Sequence, residues 1–420
     1  MKTLLSFFII LFSNLIIAQT TAIPDANFEQ ELINLGLDIT LDGQVLTTNI
    51  DTLTVLDISS KNISDLTGIQ GFTSLTKLIC YNNLLNNLDV THNIALTYLD
   101  CNSNTLSSLD VTNNTNLDYF RCDYNQLTSI DVTQNAGLSY FACGFNQLTT
   151  LDVTQNINLS TYLGCTGNQL MDLDLSQNPN LEILYCNANK LDSLDLSQNP
   201  LLATVNCSWN QLSFINLTGD TSLYIFHCPY NQLTTLDVTQ FQNLGDLTCD
   251  SNFITSLDLT QNPNLYVVRC NKNPLSCLNI KNGNNSSMPW SLFAQDTPNL
   301  TCIEVDNVAW SNANWTNIDA QTSFSSNCNN TCSIVGIEEN RSSTLSLYPN
   351  PTTGNISIDL GGAKQNLKVT LTNSLGQIIL TKQLEFTDFI NMNIVAPKGI
   401  YFLKIESAGG VINTSKVIKE

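Results

Sequence analysis

The chain has 420 residues, of which 42% are hydrophobic, so it has enough apolar mass for two or three folded domains. Only 12% of the residues are charged, and 36 acidic residues against 16 basic ones give a net charge of −20. Such a surface repels phosphate backbones and argues against nucleic acid as a partner. Two histidines in the whole chain leave little for histidine-based metal or acid–base sites.

The chain begins with a pattern typical of an export signal. Lys2 supplies a basic start, an apolar run follows over residues 4–17, and Ala18 precedes the polar Gln19. The apolar part is too short for a spanning helix, so we predict a signal peptide over residues 1–18 and no transmembrane segment after its removal.

Residues 19–52 are predicted to cap the N-terminal end of the next domain. Apolar residues recur there at helical spacing between an N-cap residue and a glycine stop: Asp25, Phe28, Leu32, Leu35 and Gly36.

The loop after this helix, Asp38 to Asn49, resembles an EF-hand calcium loop. It has acids at loop positions one and five (Asp38 and Asp42) and Gly43 at position six. It departs from the pattern with Thr40 at position three and with Asn49 in place of the bidentate glutamate. Two readings stay open: weak calcium binding through Asp38, Thr40 and Asp42, or a turn without a cofactor.

A repeat of 21 residues, with a single interval of 22, governs the middle of the chain. Each unit has a cysteine, an asparagine three residues later, and a leucine or isoleucine two residues after that. The cysteines are Cys80, Cys101, Cys122, Cys143, Cys165, Cys186, Cys207, Cys228, Cys249 and Cys270. The asparagines are Asn83, Asn104, Asn125, Asn146, Asn168, Asn189, Asn210, Asn231, Asn252 and Asn273. Ten units in phase indicate a solenoid of stacked coils.

The unit L-x-x-L-x-C-x-x-N-x-L-x-x-L-D-V-T resembles the leucine-rich repeat, and the resemblance covers roughly residues 53–280. Because side chains alternate along a strand, Leu and Cys point into the core and the residues between them point outward. We therefore predict a mainly β fold. It consists of a curved, parallel leucine-rich-repeat solenoid of 21-residue coils with a short N-terminal capping helix, followed by a small C-terminal β-sandwich.

The repeated cysteines are predicted to be buried thiols rather than disulfides. Stacked strands place equivalent Cβ atoms about 4.8 Å apart, whereas a relaxed disulfide needs about 3.8 Å. Cys277, Cys302, Cys328 and Cys332 lie outside this column and allow three pairings. We prefer a Cys277–Cys302 bridge, which would bracket a Gly/Asn/Ser-rich excursion.

Residues 281–336 are predicted to form a C-terminal cap and linker, and residues 337–420 a separate module of short alternating strands. That module resembles the C-terminal sorting domain of the type IX secretion system of Bacteroidetes. The resemblance implies the type IX machinery as a partner, export through the periplasm and outer membrane, and release or surface attachment after the domain is removed. The matching pieces are Tyr348 to Pro351, Gly354, Asn373, Gly376, Gln377, Gly399, Tyr401 and Lys416 to Lys419.

The sequence carries little catalytic chemistry. G-x-S-x-G, Walker, H-E-x-x-H and C-x-x-C motifs do not occur, and His227 and Cys228 are strand neighbours that point to opposite faces. A row of convex acids is predicted to be either solvated or a gatherer of divalent cations: Asp89, Asp110, Asp131, Asp152, Asp174, Asp195, Asp237 and Asp258.

Aromatic residues concentrate on the concave face of the predicted solenoid. They either stabilise the sheet by stacking or anchor a ligand. The predicted binding residues are Tyr98, Tyr119, Arg121, Asp123, Tyr124, Tyr140, Phe145, Tyr162, Trp209 and Tyr230.

Together these patterns predict a secreted or surface-displayed recognition protein without enzymatic activity, which binds a protein or a glycan on its concave face. The alternatives are a secreted polysaccharide-active enzyme and a purely structural surface spacer.

Overall fold

A computed structural model describes residues 19–217, 222–329, 332, 346–348, 352–373, 377–407 and 410–419. The predicted signal peptide lies outside the described residues, as do residues 330, 331 and 333–336 of the predicted C-terminal cap and linker. The chain divides into two compact units, with the division between residues 334 and 335. Among the described residues, no helix has both the length and the hydropathy to cross a membrane.

The first unit is the predicted solenoid, and its concave face is a parallel sheet of 13 short strands. Each coil contributes one strand, and successive strands pair in register. The strands are Val55–Asp57, Lys77–Ile79, Tyr98–Asp100, Tyr119–Arg121, Tyr140–Ala142, Tyr162–Gly164, Ile183–Tyr185, Thr204–Asn206, Ile225–His227, Asp246–Thr248, Val267–Arg269, Leu292–Ala294 and Asn317–Ile318. The repeated leucines and cysteines fill one continuous core between this sheet and the convex side.

The convex side is extended, because a 21-residue coil is too short to hold a full helix there. Four of its strands form a parallel sheet: Ser256–Asp258, Cys277–Asn279, Cys302–Glu304 and Ser323–Ser325. Two more, Ser193–Asp195 and Phe214–Asn216, pair with each other.

The N-terminal cap contains the predicted helix over Ala26–Asn34. The Asp25 carboxylate accepts hydrogen bonds from the backbone of Asn27 and Phe28, as an N-cap should. The sequence pattern places Leu35 on the apolar face of this helix. That placement is wrong, because the helix ends at Asn34 and the Leu35 side chain is 51% exposed. Two short strands, Thr20–Ala22 and Gln44–Leu46, pair antiparallel beside it. A second helix, Thr47–Ile50, leads into the repeats, and a 3-10 turn, Ile69–Gly71, lies in the first coil.

The C-terminal cap contains a 3-10 turn, Asn285–Ser287, and a helix, Val308–Asn314. Its disulfides correct our prediction of a Cys277–Cys302 bridge. Cys277 bonds to Cys332 and Cys302 bonds to Cys328. Leu278 pairs with Ile303, so Cys277 and Cys302 occupy equivalent positions on adjacent parallel strands. The same spacing that keeps the repeated thiols apart disfavours a bond between them, and each reaches the terminal segment instead.

The ten repeated cysteines are free and fully buried, which confirms their predicted role as small core residues. The repeated asparagines bridge successive coils. Asn104, for example, donates Nδ2–H to the carbonyls of Cys80 and Cys101 and accepts at Oδ1 from the Leu85 N–H. Sequence analysis missed a second asparagine column on the convex turn. Asn114 represents it, donating to the Val90 carbonyl of the preceding coil.

The second unit is a small antiparallel β-domain of five strands. The strands are Ser346–Tyr348, Asn355–Asn373, Ile378–Asn393, Gly399–Ser407 and Gly410–Lys419. Alternating apolar side chains such as Val369, Leu371 and Leu403 form a separate core. The small antiparallel β module predicted at this end of the chain as a β-sandwich is confirmed, and its described strands are joined in one sheet.

Candidate ligand-binding surface

Four successive coils place a tyrosine at the start of their concave strand, and these residues form what we call the tyrosine column. The ring centroids of Tyr98 and Tyr119 lie 4.2 Å apart, those of Tyr119 and Tyr140 4.3 Å, and those of Tyr140 and Tyr162 4.7 Å. In the next coil Tyr185, at the end of its strand, packs edge-on against the Tyr162 ring. All four tyrosines of the column are half-buried, because each ring is covered by its neighbours in the stack.

A second column has an unusual backbone. The residue two positions after each repeated cysteine has a positive φ, between 51° and 67°. This conformation is costly for bulky side chains and suits glycine or asparagine. We call these positions the left-handed column: Asn82, Ser103, Tyr124, Phe145, Gly167, Ala188, Trp209, Tyr230, Ser251 and Lys272.

Four aromatic residues of the left-handed column form two stacked pairs. Tyr124 and Phe145 stack at 4.4 Å, and Trp209 and Tyr230 stack at 3.8 Å. Each side chain remains 41–57% exposed. They therefore present large apolar surfaces to solvent at the margin of the concave sheet.

Between the tyrosine column and the first aromatic pair lies a depression of about 340 Å³, which we call the aromatic trough. Its floor consists of small residues (Ala142, Gly144 and Gly164), and it extends over four coils, about 14 Å. A Cβ atom at Gly164 would lie 2.5 Å from the Tyr162 ring, so this ring folds over the glycine. The lining residues are Arg121, Asp123, Tyr124, Tyr140, Ala142, Gly144, Phe145, Tyr162, Gly164, Thr166, Tyr185 and Asn187.

One end of the trough carries a compact charge cluster. The Arg121 guanidinium lies 3.3 Å from the Asp123 carboxylate and 3.8 Å from that of Asp100. Asp123 also accepts a hydrogen bond from the Gly144 N–H at 2.8 Å. The cluster holds one positive and two negative charges, and Arg121 is committed to both carboxylates.

Burial sets the electrostatics of the trough. It raises the pKa of Asp123, although the Gly144 N–H and Arg121 act in the opposite direction. It also raises the pKa of Tyr140 to about 12, helped by the neighbouring Tyr119. The tyrosine hydroxyl therefore stays protonated at neutral pH and can donate a hydrogen bond.

The structure brings most of the predicted binding residues together, but not all of them. Arg121, Asp123, Tyr124, Tyr140, Phe145 and Tyr162 line the trough. Tyr98 and Tyr119 continue the tyrosine column beyond it, and the Trp209–Tyr230 pair lies several coils away. Sequence analysis missed Tyr185, Asn187 and the small floor residues. The floor residues could have been found from the sequence, because they are small at outward positions where other coils carry larger residues.

The convex acids make local turns. In the Asp131 coil, the backbone N–H and the hydroxyl of Thr133 both donate to Oδ1 of Asp131, at 2.9 and 2.7 Å. These bonds lower the pKa of the Asp131 carboxyl, the hydroxyl of Thr133 having the largest effect. The same bond pair recurs at Asp89, Asp110 and Asp152. The row thus has a structural role as exposed turn acceptors.

The predicted calcium loop is organised around an acidic side chain that sequence analysis did not single out. Glu29 is 2% exposed and accepts hydrogen bonds at Oε1 from the backbone N–H groups of Asp42, Gly43 and Gln44. Thr40 donates its hydroxyl to Asp42. The loop therefore directs N–H groups inward toward a carboxylate, whereas a calcium loop directs oxygens.

His227 lies on the concave face and its Nε2 is 3.2 Å from the Asp246 carboxylate. Cys228 is fully buried on the opposite side, so the two do not form a dyad. In the part of the chain that the structure describes, no group of three or more His, Cys, Asp or Glu side chains could hold a metal ion.

Comparison with known proteins identifies the C-terminal segment. Residues 346–420 match the family described as "Secretion system C-terminal sorting domain". This confirms the predicted sorting domain and indicates export by the type IX system to the cell surface or beyond it.

The solenoid is similar to that of internalins. The solved functional domain of InlJ from Listeria monocytogenes, described as including a cysteine ladder, is 26% identical, with a TM-score of 0.53 over 96% of this chain and 99% of that one. Internalin J of L. monocytogenes serotype 4b is 40% identical over 70 residues, which are 17% of this chain and only 8% of that protein. The plant peptide hormone receptor RGFR1 in complex with RGF2 shares the fold at 20% identity, with a TM-score of 0.50 over 61% of this chain and 51% of that one. The leucine-rich-repeat fold is thereby confirmed.

Proposed function

We propose that the protein is a non-enzymatic recognition scaffold that is exported and binds another macromolecule on the concave face of its solenoid. The observation that carries this proposal is the aromatic trough with the exposed aromatic pair beside it. Tyrosine, tryptophan and arginine are the usual anchors of binding surfaces, and small floor residues give a ligand room between them. The whole 13-stranded sheet is about 58 Å long at the spacing of parallel strands, and together with the adjoining left-handed column it is large enough for an ordinary interface of about 800 Å² per partner.

The chemistry of the solenoid, in its core and on its concave face, favours binding over catalysis. The ten repeated thiols are buried, and burial raises the pKa of each, so they remain protonated and unreactive. Asp123 is engaged by Arg121 and by the Gly144 N–H, which leaves it poorly placed to act as a base. The fold has a precedent in recognition, because the plant receptor that shares it is a peptide hormone receptor in complex with RGF2.

The test is a glycan array combined with affinity capture from extracellular protein, using the chain from Gln19 onward. The Tyr119→Ser/Tyr140→Ser variant removes two central rings of the tyrosine column, and we expect it to lose the captured ligand while its melting temperature shifts by only a few degrees. The Asp131→Ala/Asp152→Ala variant is the control on the convex face and should bind like the unaltered protein. Binding that survives the tyrosine changes and is lost with the aspartates would refute the proposal. If no ligand is found and the tyrosine variant loses stability instead, the column serves only the sheet, as in the structural-spacer alternative.

A further inference from the structure

We propose that the ligand is an uncharged polysaccharide, which lies along the left-handed column and stacks on its two aromatic pairs. This inference rests on the proposed function and narrows it to one class of ligand and one line of contacts. The four residues that carry it are Tyr124, Phe145, Trp209 and Tyr230.

The first argument is backbone strain. The other positions of the left-handed column are filled by Asn, Ser, Gly, Ala and Lys, which are small or flexible. The backbone φ is between 51° and 57° at the four aromatic positions, a range in which bulky residues are rare outliers. The rings are about half exposed, so the core gains little from them. Strained side chains that contribute little to folding are typical of functional sites.

The second argument is the spacing of the pairs. The midpoints of the Tyr124–Phe145 and Trp209–Tyr230 pairs are four coils apart, which is about 19 Å at the spacing of parallel strands. Gly167 and Ala188 occupy the column between the two pairs, and their small side chains leave the surface there unobstructed. An extended ligand with a repeating structure can reach both pairs, whereas a compact small molecule reaches only one.

The third argument is the polar chemistry beside the pairs. The residue two positions beyond five of the ten members of the left-handed column, including all four aromatic ones, is an exposed glutamine, an uncharged group that both donates and accepts hydrogen bonds: Gln126, Gln147, Gln169, Gln211 and Gln232. Lys190 replaces glutamine in one coil, and its Nζ donates to Gln169. Amides pair with sugar hydroxyls, and the negative face of an aromatic ring attracts the polarised C–H groups of a sugar ring.

The charge of the surface excludes the acidic polysaccharides. The chain carries a net charge of −20, and Arg121 is already paired with Asp100 and Asp123. An anionic chain would therefore meet net repulsion, which Lys190, the cation between the two pairs, offsets only in part because it already donates to Gln169. A neutral chain meets no such penalty.

The experiment is affinity gel electrophoresis of the chain from Gln19 onward with six polysaccharides as probes. Laminarin, xyloglucan, galactomannan, arabinoxylan and soluble mannan are neutral, and polygalacturonate is acidic. We expect retardation by at least one neutral probe and none by polygalacturonate. Isothermal titration with the retarding probe then gives the affinity of the variants.

The decisive variant is Phe145→Asn/Trp209→Asn, which removes one ring from each pair and suits the left-handed backbone. We expect affinity to fall at least about tenfold, from the combined loss of two stacking contacts, while the melting temperature stays unchanged or rises. The matched control is Ser103→Asn/Ser251→Asn, which places asparagine at two left-handed positions outside the two pairs without removing a ring and should bind normally.

Three results would overturn the inference: no neutral probe retards the protein, the Phe145/Trp209 variant binds as well as the unaltered chain, or its melting temperature falls by ten degrees or more. A protein ligand captured by the unaltered chain and lost by the Tyr119→Ser/Tyr140→Ser variant, with no polysaccharide binding, would give a different outcome. The proposal of recognition on the concave face would then stand, and the inference that the ligand is a polysaccharide would be wrong.

Discussion

The ten buried thiols should make the solenoid unstable at alkaline pH. Burial raises the pKa of every repeated cysteine, to about 12 for Cys165 and Cys207, whereas an unfolded thiol ionises near 8.5. Ionisation above that pH therefore stabilises the unfolded chain and not the folded one. The stability that the neutral thiols contribute is complete below about pH 8.5 and is lost as the pH rises toward the folded pKa values.

The size of this effect follows from the number of thiols. At pH 9.5, one unit above the ordinary thiol pKa, ionisation favours unfolding by about 1.4 kcal/mol per cysteine. Ten cysteines, all fully buried, bring the sum to about 14 kcal/mol. That equals the whole unfolding free energy of a typical domain, about 5–15 kcal/mol. We expect the solenoid to unfold close to this pH.

The assay is urea unfolding at pH 7.5, 8.5 and 9.5 in oxygen-free buffer with a chelator, followed by tryptophan fluorescence. Tyrosines contribute little, because an unfolded tyrosine with a pKa near 10 favours unfolding at pH 9.5 by only about 0.2 kcal/mol, against about 1.4 kcal/mol for a thiol. The Cys143→Ala/Cys186→Ala variant removes two of the ten thiols. It should be less stable at pH 7.5 by about 1–2 kcal/mol per site, yet lose about a fifth less stability between pH 7.5 and 9.5. Equal pH dependence in both proteins, or none in either, would refute the linkage.

The remaining predictions concern the coil contacts, processing and the N-terminal loop. Asn146→Ala removes four buried hydrogen bonds, to the Cys122, Cys143 and Gly144 carbonyls and from the Leu127 N–H, and should lower the unfolding free energy by about 3–5 kcal/mol in urea titration. The exposed neighbour change Gln147→Ala should cost no more than about 0.5 kcal/mol, and a similar loss in both would contradict the role of the column. Intact mass of protein from the native host should show a chain that begins near residue 19 and lacks the sorting domain, and retention of residues 416–419 would contradict export with cleavage. Calorimetric titration should show no heat at millimolar calcium, because Glu29 already fills the centre of the loop, and a saturable exotherm would restore the calcium hypothesis.

The repeat made the solenoid predictable, because one period fixes which residues face the core in every coil. Placing Tyr119 outward and Cys122 inward needed only the alternation of a strand. The disulfides were not predictable in this way, because Cys277 and Cys302 fall in coils of irregular length and their register is set by pairing across the cap. The left-handed backbone of Tyr124 and Phe145 escaped sequence analysis because aromatic residues normally indicate strands rather than turns. The trough itself depends on missing volume at Gly144 and Gly164, which becomes meaningful only beside the rings that surround it.

The most direct test of concave recognition is a footprint of the bound ligand. Hydroxyl-radical labelling of the chain from Gln19 onward, with and without the ligand identified by array or capture, reports the exposure of individual side chains. We predict protection of Tyr124, Phe145 and Trp209, while Ile94 and Ile157, which are 59% and 56% exposed away from the concave sheet, react equally in both states. Protection of Ile94 and Ile157 with unchanged labelling of the three aromatic residues would contradict the account.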